Sequence, residues 1–136
     1  LGNGLPIGAL LVRSGAAEAI GPGDHGSTFG GNPVACAAAC AVVEAIDDAL
    51  LDNVAARGAQ LAAALESLPA VREVRGRGLL VAALLDRDAA GVVDACREHG
   101  LLVVTAGPDI LRLLPPLVVT EAEVEEALAV LRELLS

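Results

Sequence analysis

Two places in this sequence gather side chains able to hold an anion. The first is His25-Gly26-Ser27-Thr28-Phe29-Gly30-Gly31-Asn32-Pro33, where adjacent hydroxyls stand among glycines that let backbone N–H groups approach a ligand closely. Asn32 suits an N-cap and Pro33 a first helical position, so the segment predicts a helix N-terminus favourable to a phosphate or carboxylate. The same residues also fit a glycine loop that only starts a helix. The second place is Arg112, a guanidinium inside Ile110-Leu111-Arg112-Leu113-Leu114. A buried charge is costly without a partner, so such an arginine stands at an edge, faces solvent, or is aimed at an anion. Its planar fork suits a carboxylate held by two hydrogen bonds.

Other residues carry less. Arg75 and Arg77 flank Gly76 and fit a solvated turn. His25 has no carboxylate at a diagnostic spacing and is read as ordering its loop; His99, at a predicted helix C-terminus, complements the dipole. Cys36 and Cys40 are spaced i,i+4, but no His or Cys pair joins them at zinc-site spacing, so these two and Cys96 are read as small buried apolar residues. All nine basic residues are Arg, and the chain therefore has no lysine with which to attach a carbonyl cofactor.

Bulk composition narrows the function classes. A hydrophobic content of 54% with a single aromatic residue predicts an aliphatic core and argues against global disorder. A net charge of -9 without a basic run argues against nucleic acid or an anionic membrane as partner. No apolar stretch is long enough to span a bilayer, and the expectation is a cytoplasmic protein. Because the sequence contains no Met and opens on Leu1-Gly2-Asn3-Gly4, it is read as a fragment of a longer chain.

The elements that must position the two anion sites follow from spacing. Ile7 to Val12 reads as a short buried strand and Ala16 to Ile20 as a short helix. From Pro33 to about Asp47 the Ala, Cys and Val pattern predicts a helix packed on every side. Leu51, Val54, Gly58, Leu61, Leu65 and Leu68 recur at steps of three and four, an amphipathic helix ending near Pro69, with Asp52, Arg57 and Glu66 on its other face. Asp47-Asp48 is the expected junction between the tail of one domain (1–47) and a smaller domain (48–136). Beyond it, strands are expected at Val71 to Arg75 and Leu79 to Leu85, separated by a Gly76-Arg77-Gly78 turn. Asp88 caps a helix to His99 with Gly100 as its stop, Leu101 to Thr105 and Ile110 to Leu114 form a hairpin, and Thr120 with Glu123 opens the last helix as a capping box. The order strand, strand, helix, strand, strand, helix predicts an α+β (α/β two-layer) fold.

Leu1-Gly2-Asn3-Gly4-Leu5-Pro6-Ile7-Gly8-Ala9, the His25 to Pro33 loop, Val74-Arg75-Gly76-Arg77-Gly78-Leu79-Leu80, and Arg112 before Leu114-Pro115-Pro116 follow one another in an order that resembles class III pyridoxal-phosphate aminotransferases, and among them the acetylornithine aminotransferases. The resemblance implies the C-terminal part of a fold type I transferase: the end of the large pyridoxal-phosphate-binding domain over 1–47, then the C-terminal small domain with its sheet and helices over 48–136. It implies a homodimer that moves an amino group from N-acetylornithine to 2-oxoglutarate in arginine biosynthesis. By that resemblance Thr28 bonds the cofactor phosphate across the dimer interface, Ser27 touches the substrate, and Arg112 clamps a substrate carboxylate. The cofactor-bearing lysine lies just ahead of Leu1, so the chain alone is expected to be inactive. Ornithine, 4-aminobutyrate and succinyldiaminopimelate transaminases are the alternatives within the family; a non-catalytic acidic α/β interaction module is the alternative outside it.

Overall fold

A computed structural model describes residues 1–136, which divide into two compact units, Leu1–Asp47 and Asp48–Ser136. In the first unit a helical turn, α1 (Ser14–Ala17), and a longer helix, α2 (Pro33–Glu44), are joined by loops. Asn32 caps α2, its side chain accepting from the Ala35 N–H at 2.9 Å, and Pro33 occupies the first helical position.

The second unit begins with α3 (Asp48–Glu66), followed by β1 (Val71–Arg77), β2 (Leu80–Leu85), α4 (Ala89–Glu98), β3 (Val104–Thr105), β4 (Ile110–Leu113) and α5 (Glu121–Leu134). The four strands form one antiparallel sheet in the order β1-β2-β4-β3. Helix α3 lies on β1 and β2, α4 on β3 and β4, and α5 packs against both helices, giving the expected α+β layer pair. Strand alternation explains the layer: Val81, Ala83 and Leu85 on β2 and Leu111 and Leu113 on β4 point inward to meet Leu61, Leu65, Val92, Cys96, Leu128 and Leu131. At its first turn α5 carries both halves of the capping box between Thr120 and Glu123. Asp88 caps α4, and Gly100 beyond it takes a positive φ of 79°, where a side chain would be strained.

Polar side chains fasten the connections of this unit. The Asn53 amide donates to the carbonyls of Leu117 and Val119, each at 3.0 Å, holding the segment between β4 and α5 to α3. Arg72 donates through Nε to the Leu85 carbonyl at 2.7 Å and through Nη2 to Asp109 at 2.6 Å, tying β1 to the β3–β4 loop. Arg57 Nη1 lies 2.9 Å from a Glu121 carboxylate oxygen, off the direction of its N–H bonds, so charge attraction rather than a hydrogen bond joins α3 to α5 there.

Several expectations are corrected. Ile7 to Val12 forms no strand, and Leu10 and Leu11 are 79% and 94% exposed: within this unit no neighbouring strand supplies a hydrogen-bonding edge. The short helix comes earlier than expected, at Ser14–Ala17 rather than Ala16 to Ile20. Helix α2 buries only Ala35 and Ala39 instead of being enclosed all round, and of the cysteines only Cys96 is buried, Cys36 being half-covered and Cys40 exposed. Gly76 and Arg77 belong to β1, so the tight turn falls at Gly78-Leu79, with Gly78 at φ 56°. Leu51 is half exposed, whereas Arg57, expected on the solvent face, is largely covered beside Glu121. The strand after Leu101 shrinks to Val104–Thr105.

Candidate functional site

The loop ahead of α2 is shaped by Asn32 and the glycines beside it. The Asn32 backbone N–H and side-chain amide both donate to the Phe29 carbonyl, at 3.3 and 3.0 Å, while its side-chain oxygen caps the helix. Gly31 takes a φ of 73°, and a Cβ on Gly30 would stand 2.9 Å from the Ser27 Cβ and 3.0 Å from its Oγ. These glycines are therefore required by a turn that folds Ser27 against Gly30 and by the positive φ that leads into the cap.

What the turn leaves free bears on its chemistry. The Ser27 and Thr28 hydroxyls are exposed and make no hydrogen bond within the chain; neither caps α2, since Asn32 does. Asp24, the acidic residue nearest in sequence, accepts from the Gly21 N–H at 2.6 Å. Two unspent hydroxyls beside a helix N-terminus make a donor set suited to a phosphate. The Phe29 ring, 80% exposed, projects from the same turn.

The second candidate residue sits on the sheet. Arg112 belongs to β4, an interior strand, so it is not an edge arginine. Leu111 and Leu113 are 0% and 5% exposed on the helix side, which by alternation turns Arg112 to the open face. Cross-strand register places Arg75, Ala82, Arg112 and Val104 in one row across that face. Arg75 is engaged by Glu73 through two hydrogen bonds of 2.6 Å, which hold the Glu73 carboxyl below the usual carboxylate range and push the Arg75 guanidinium up. Arg112 has no ion pair and no hydrogen bond, so its five donors are free for a ligand carboxylate.

Ser27 and Thr28 are thus neighbours in one turn of the first unit, and Arg112 stands on the sheet of the second. His25 is exposed on its loop, and His99 ends α4 with Nδ1 2.9 Å from the Ala95 carbonyl. No three His, Cys, Asp or Glu side chains come together to hold a metal ion, and no helix is long and apolar enough to cross a membrane. Sequence reading passed over Glu73 as the partner of Arg75; the available signal was their i,i+2 spacing on a strand, which puts both on one face.

Comparison with known proteins bears on both places. The family model for class-III aminotransferases matches residues 1–135. The acetylornithine aminotransferase of Gloeobacter violaceus is 51% identical over 138 aligned residues, covering 96% of this chain and 34% of the relative. An acetylornithine aminotransferase structure from Elizabethkingia anophelis superposes with a TM-score of 0.75 at 34% identity, over 88% of this chain and 34% of that one. A Toxoplasma gondii ornithine aminotransferase, crystallised with oxidised glutathione and described with partial occupancy of PLP at its active site, gives 0.74 at 36% identity over 90% and 31%. The chain spans about a third of the length of the curated relatives it matches.

Proposed function

This chain belongs to the class-III aminotransferases, and from that premise we propose that it forms the C-terminal part of an acetylornithine-type transaminase using pyridoxal phosphate, with residues 1–47 closing the large domain and 48–136 forming the small one. The overall reaction is transfer of an amino group from N-acetylornithine to 2-oxoglutarate, a step of arginine biosynthesis, carried out by a cytoplasmic homodimer. The observation that carries the proposal is the pair of Ser27 and Thr28 hydroxyls left without internal partners beside the capped start of α2. In an interaction module those hydroxyls would be spent on caps of their own loop.

When bound, pyridoxal phosphate supplies the electron sink that allows an amine and a carbonyl to exchange. The chain's own residues bind and orient. Thr28 donates its hydroxyl to the cofactor phosphate of the partner subunit's site, and Ser27 contacts the substrate beside it. Arg112 offers two parallel N–H donors to a substrate carboxylate, which fixes the direction in which the acid enters. With no lysine, this chain does not itself attach the cofactor.

The test uses the longer polypeptide that carries this chain. A hydrogen bond to a charged group contributes about 1.5–3 kcal/mol, so Thr28→Ala is expected to weaken cofactor binding about ten- to a hundredfold in spectral titration. Arg112→Ala is expected to raise KM for both amino donor and oxo acid. An unchanged cofactor dissociation constant removes Thr28 from the site, and unaltered KM values remove Arg112. The 136-residue chain alone should give no specific absorbance band with pyridoxal phosphate.

A further inference from the structure

The chain carries eighteen acidic residues against nine arginines, so carboxylates are in excess as partners for its cations. Arg57, Arg72, Arg75, Arg87, Arg97 and Arg132 each pair with one. In the second unit only Arg77 and Arg112 do not, and Arg112 already has a place in the proposed transaminase. Arg77 is the last residue of β1, in register with Leu80 across the β1–β2 turn. Its guanidinium, exposed and without a hydrogen bond, lines an open groove of about 570 Å³ in which it is the only charged group. Leu51 and Val54 on α3, Leu80 at the start of β2, and Leu114 and Leu117 after β4 supply the walls. Leu51, Leu80 and Leu114 are each more than half exposed. Leucines gathered around one cation differ from leucines scattered singly over a surface, because contiguous exposed apolar patches mark ligand grooves. The volume lies within the range of about 300–1,000 Å³ found for small-molecule sites, whose mostly apolar walls carry a few polar groups that orient the ligand. These walls are fixed before anything binds: the Asn53 amide holds the Leu117 carbonyl at 3.0 Å, and Leu79, buried in the core, anchors the turn between Arg77 and Leu80.

We propose that this groove binds a small aliphatic carboxylate, with its acid group on Arg77 and its hydrocarbon tail along the leucines. The planar guanidinium fork receives the two carboxylate oxygens through parallel N–H bonds. The tail covers Leu51, Leu80 and Leu114, removing apolar surface of both partners from water. No side chain lining the groove other than Arg77 donates or accepts a hydrogen bond, so a tail bearing an amine, an amide or a second carboxylate loses its hydration there without replacement. The groove therefore selects against the substrates of the proposed transamination. It uses neither the Ser27-Thr28 turn nor Arg112, and it stands or falls independently of that reading.

Calorimetric titration of the 136-residue chain with octanoate tests it. Octanoate is expected to bind saturably, whereas 1-octanol, which has the tail without the charge, and acetate, which has the charge without the tail, should each bind at least about tenfold more weakly. Arg77→Ala removes the anchoring guanidinium and should weaken octanoate binding about ten- to a hundredfold. Leu114→Asp replaces part of the wall by a charge of the ligand's own sign and should weaken it at least about tenfold. Both positions are exposed, so the far-ultraviolet circular dichroism of these variants should match wild type. Arg112→Ala should bind octanoate as wild type does, which separates this groove from the sheet-face arginine. The proposal is overturned by a wild type that shows no saturable octanoate binding at millimolar concentration, by octanol that binds as tightly as octanoate, by Arg77→Ala or Leu114→Asp chains of wild-type affinity, or by a loss of binding in Arg112→Ala.

Discussion

In residues 48–136 the aliphatic side chains meet in one continuous core running from Leu61 to Leu135, and hydrogen bonds join distant positions: Asn53 to Leu117 and Val119, Arg72 to Leu85 and Asp109, and the Ala70 N–H to the Leu135 carbonyl. Residues 1–47 also carry many Leu, Val, Ile and Ala but bury only Gly2, Ala35 and Ala39, and among residues 1–46 the hydrogen bonds run between positions three or four apart. The first unit is made of local structure that presents a loop; the second is an independent core that presents a sheet face. Apolar composition is therefore no measure of a core, because burial needs a second element to pack against.

That contrast can be broken by measurement. Leu131 is completely buried between α5 and the sheet layer, so Leu131→Ala is expected to cost about 2–5 kcal/mol in chemical denaturation, while Leu11→Ala, at a 94% exposed position, should stay within about 0.5 kcal/mol. Equal losses at the two sites would erase the difference between the units. Gly58 sharpens the contrast, because a Cβ there would stand 2.4 Å from the Gly78 carbonyl oxygen, where α3 passes over the β1–β2 turn. Gly58→Ala should force helix and hairpin apart at a cost of about 1–3 kcal/mol. A variant as stable as wild type would show that this approach is not tight.

The smallest expected effect concerns the cap of α5. Thr120→Ala removes the hydroxyl that accepts from the Glu123 N–H and should cost about 1 kcal/mol, measured as a shift in the denaturation midpoint at neutral pH. The Thr120 N–H and hydroxyl both donate to the Glu123 carboxylate at 2.8 Å and hold its pKa below the ordinary value of 4.5, the backbone bond contributing most. A lowered pKa in the folded state gives stability that is present above the unfolded value and lost as pH falls through the folded one. The gap between wild type and Thr120→Ala should therefore narrow but not close as pH falls below 4.5 and Glu123 is protonated, because the bond from the Thr120 hydroxyl to the carboxylate weakens while the cap on the Glu123 N–H does not titrate. A gap that stays constant into acid would show that the Thr120 hydroxyl adds nothing to the hold on the Glu123 carboxylate.

The residues that the sequence made legible are those whose partners lie within one turn. Asn32 and Pro33 at α2, Asp88 and Gly100 around α4, and Thr120 with Glu123 at α5 all occupy the expected cap positions. The Ser27-Thr28 turn was equally readable, since glycines and hydroxyls state their options locally. Ile7 to Val12 failed as a strand because an apolar run says nothing of a neighbour to pair with, and the β1–β2 turn moved to Gly78-Leu79 because pairing with β2 extended β1 through Arg77.

By itself, the sequence determined the caps that open α2, α4 and α5, the absence of a lysine and the order of motifs that marks the family. Only the tertiary structure decided that β4 is interior and β1 is an edge, that Arg112 stands free on the open face while Arg75 is held by Glu73, and that Arg57 is covered beside Glu121. The reason is range: caps are set by interactions between residues a few positions apart, whereas strand order, the inward face of an all-apolar strand such as β2, and exposure depend on which distant segments meet when the core closes.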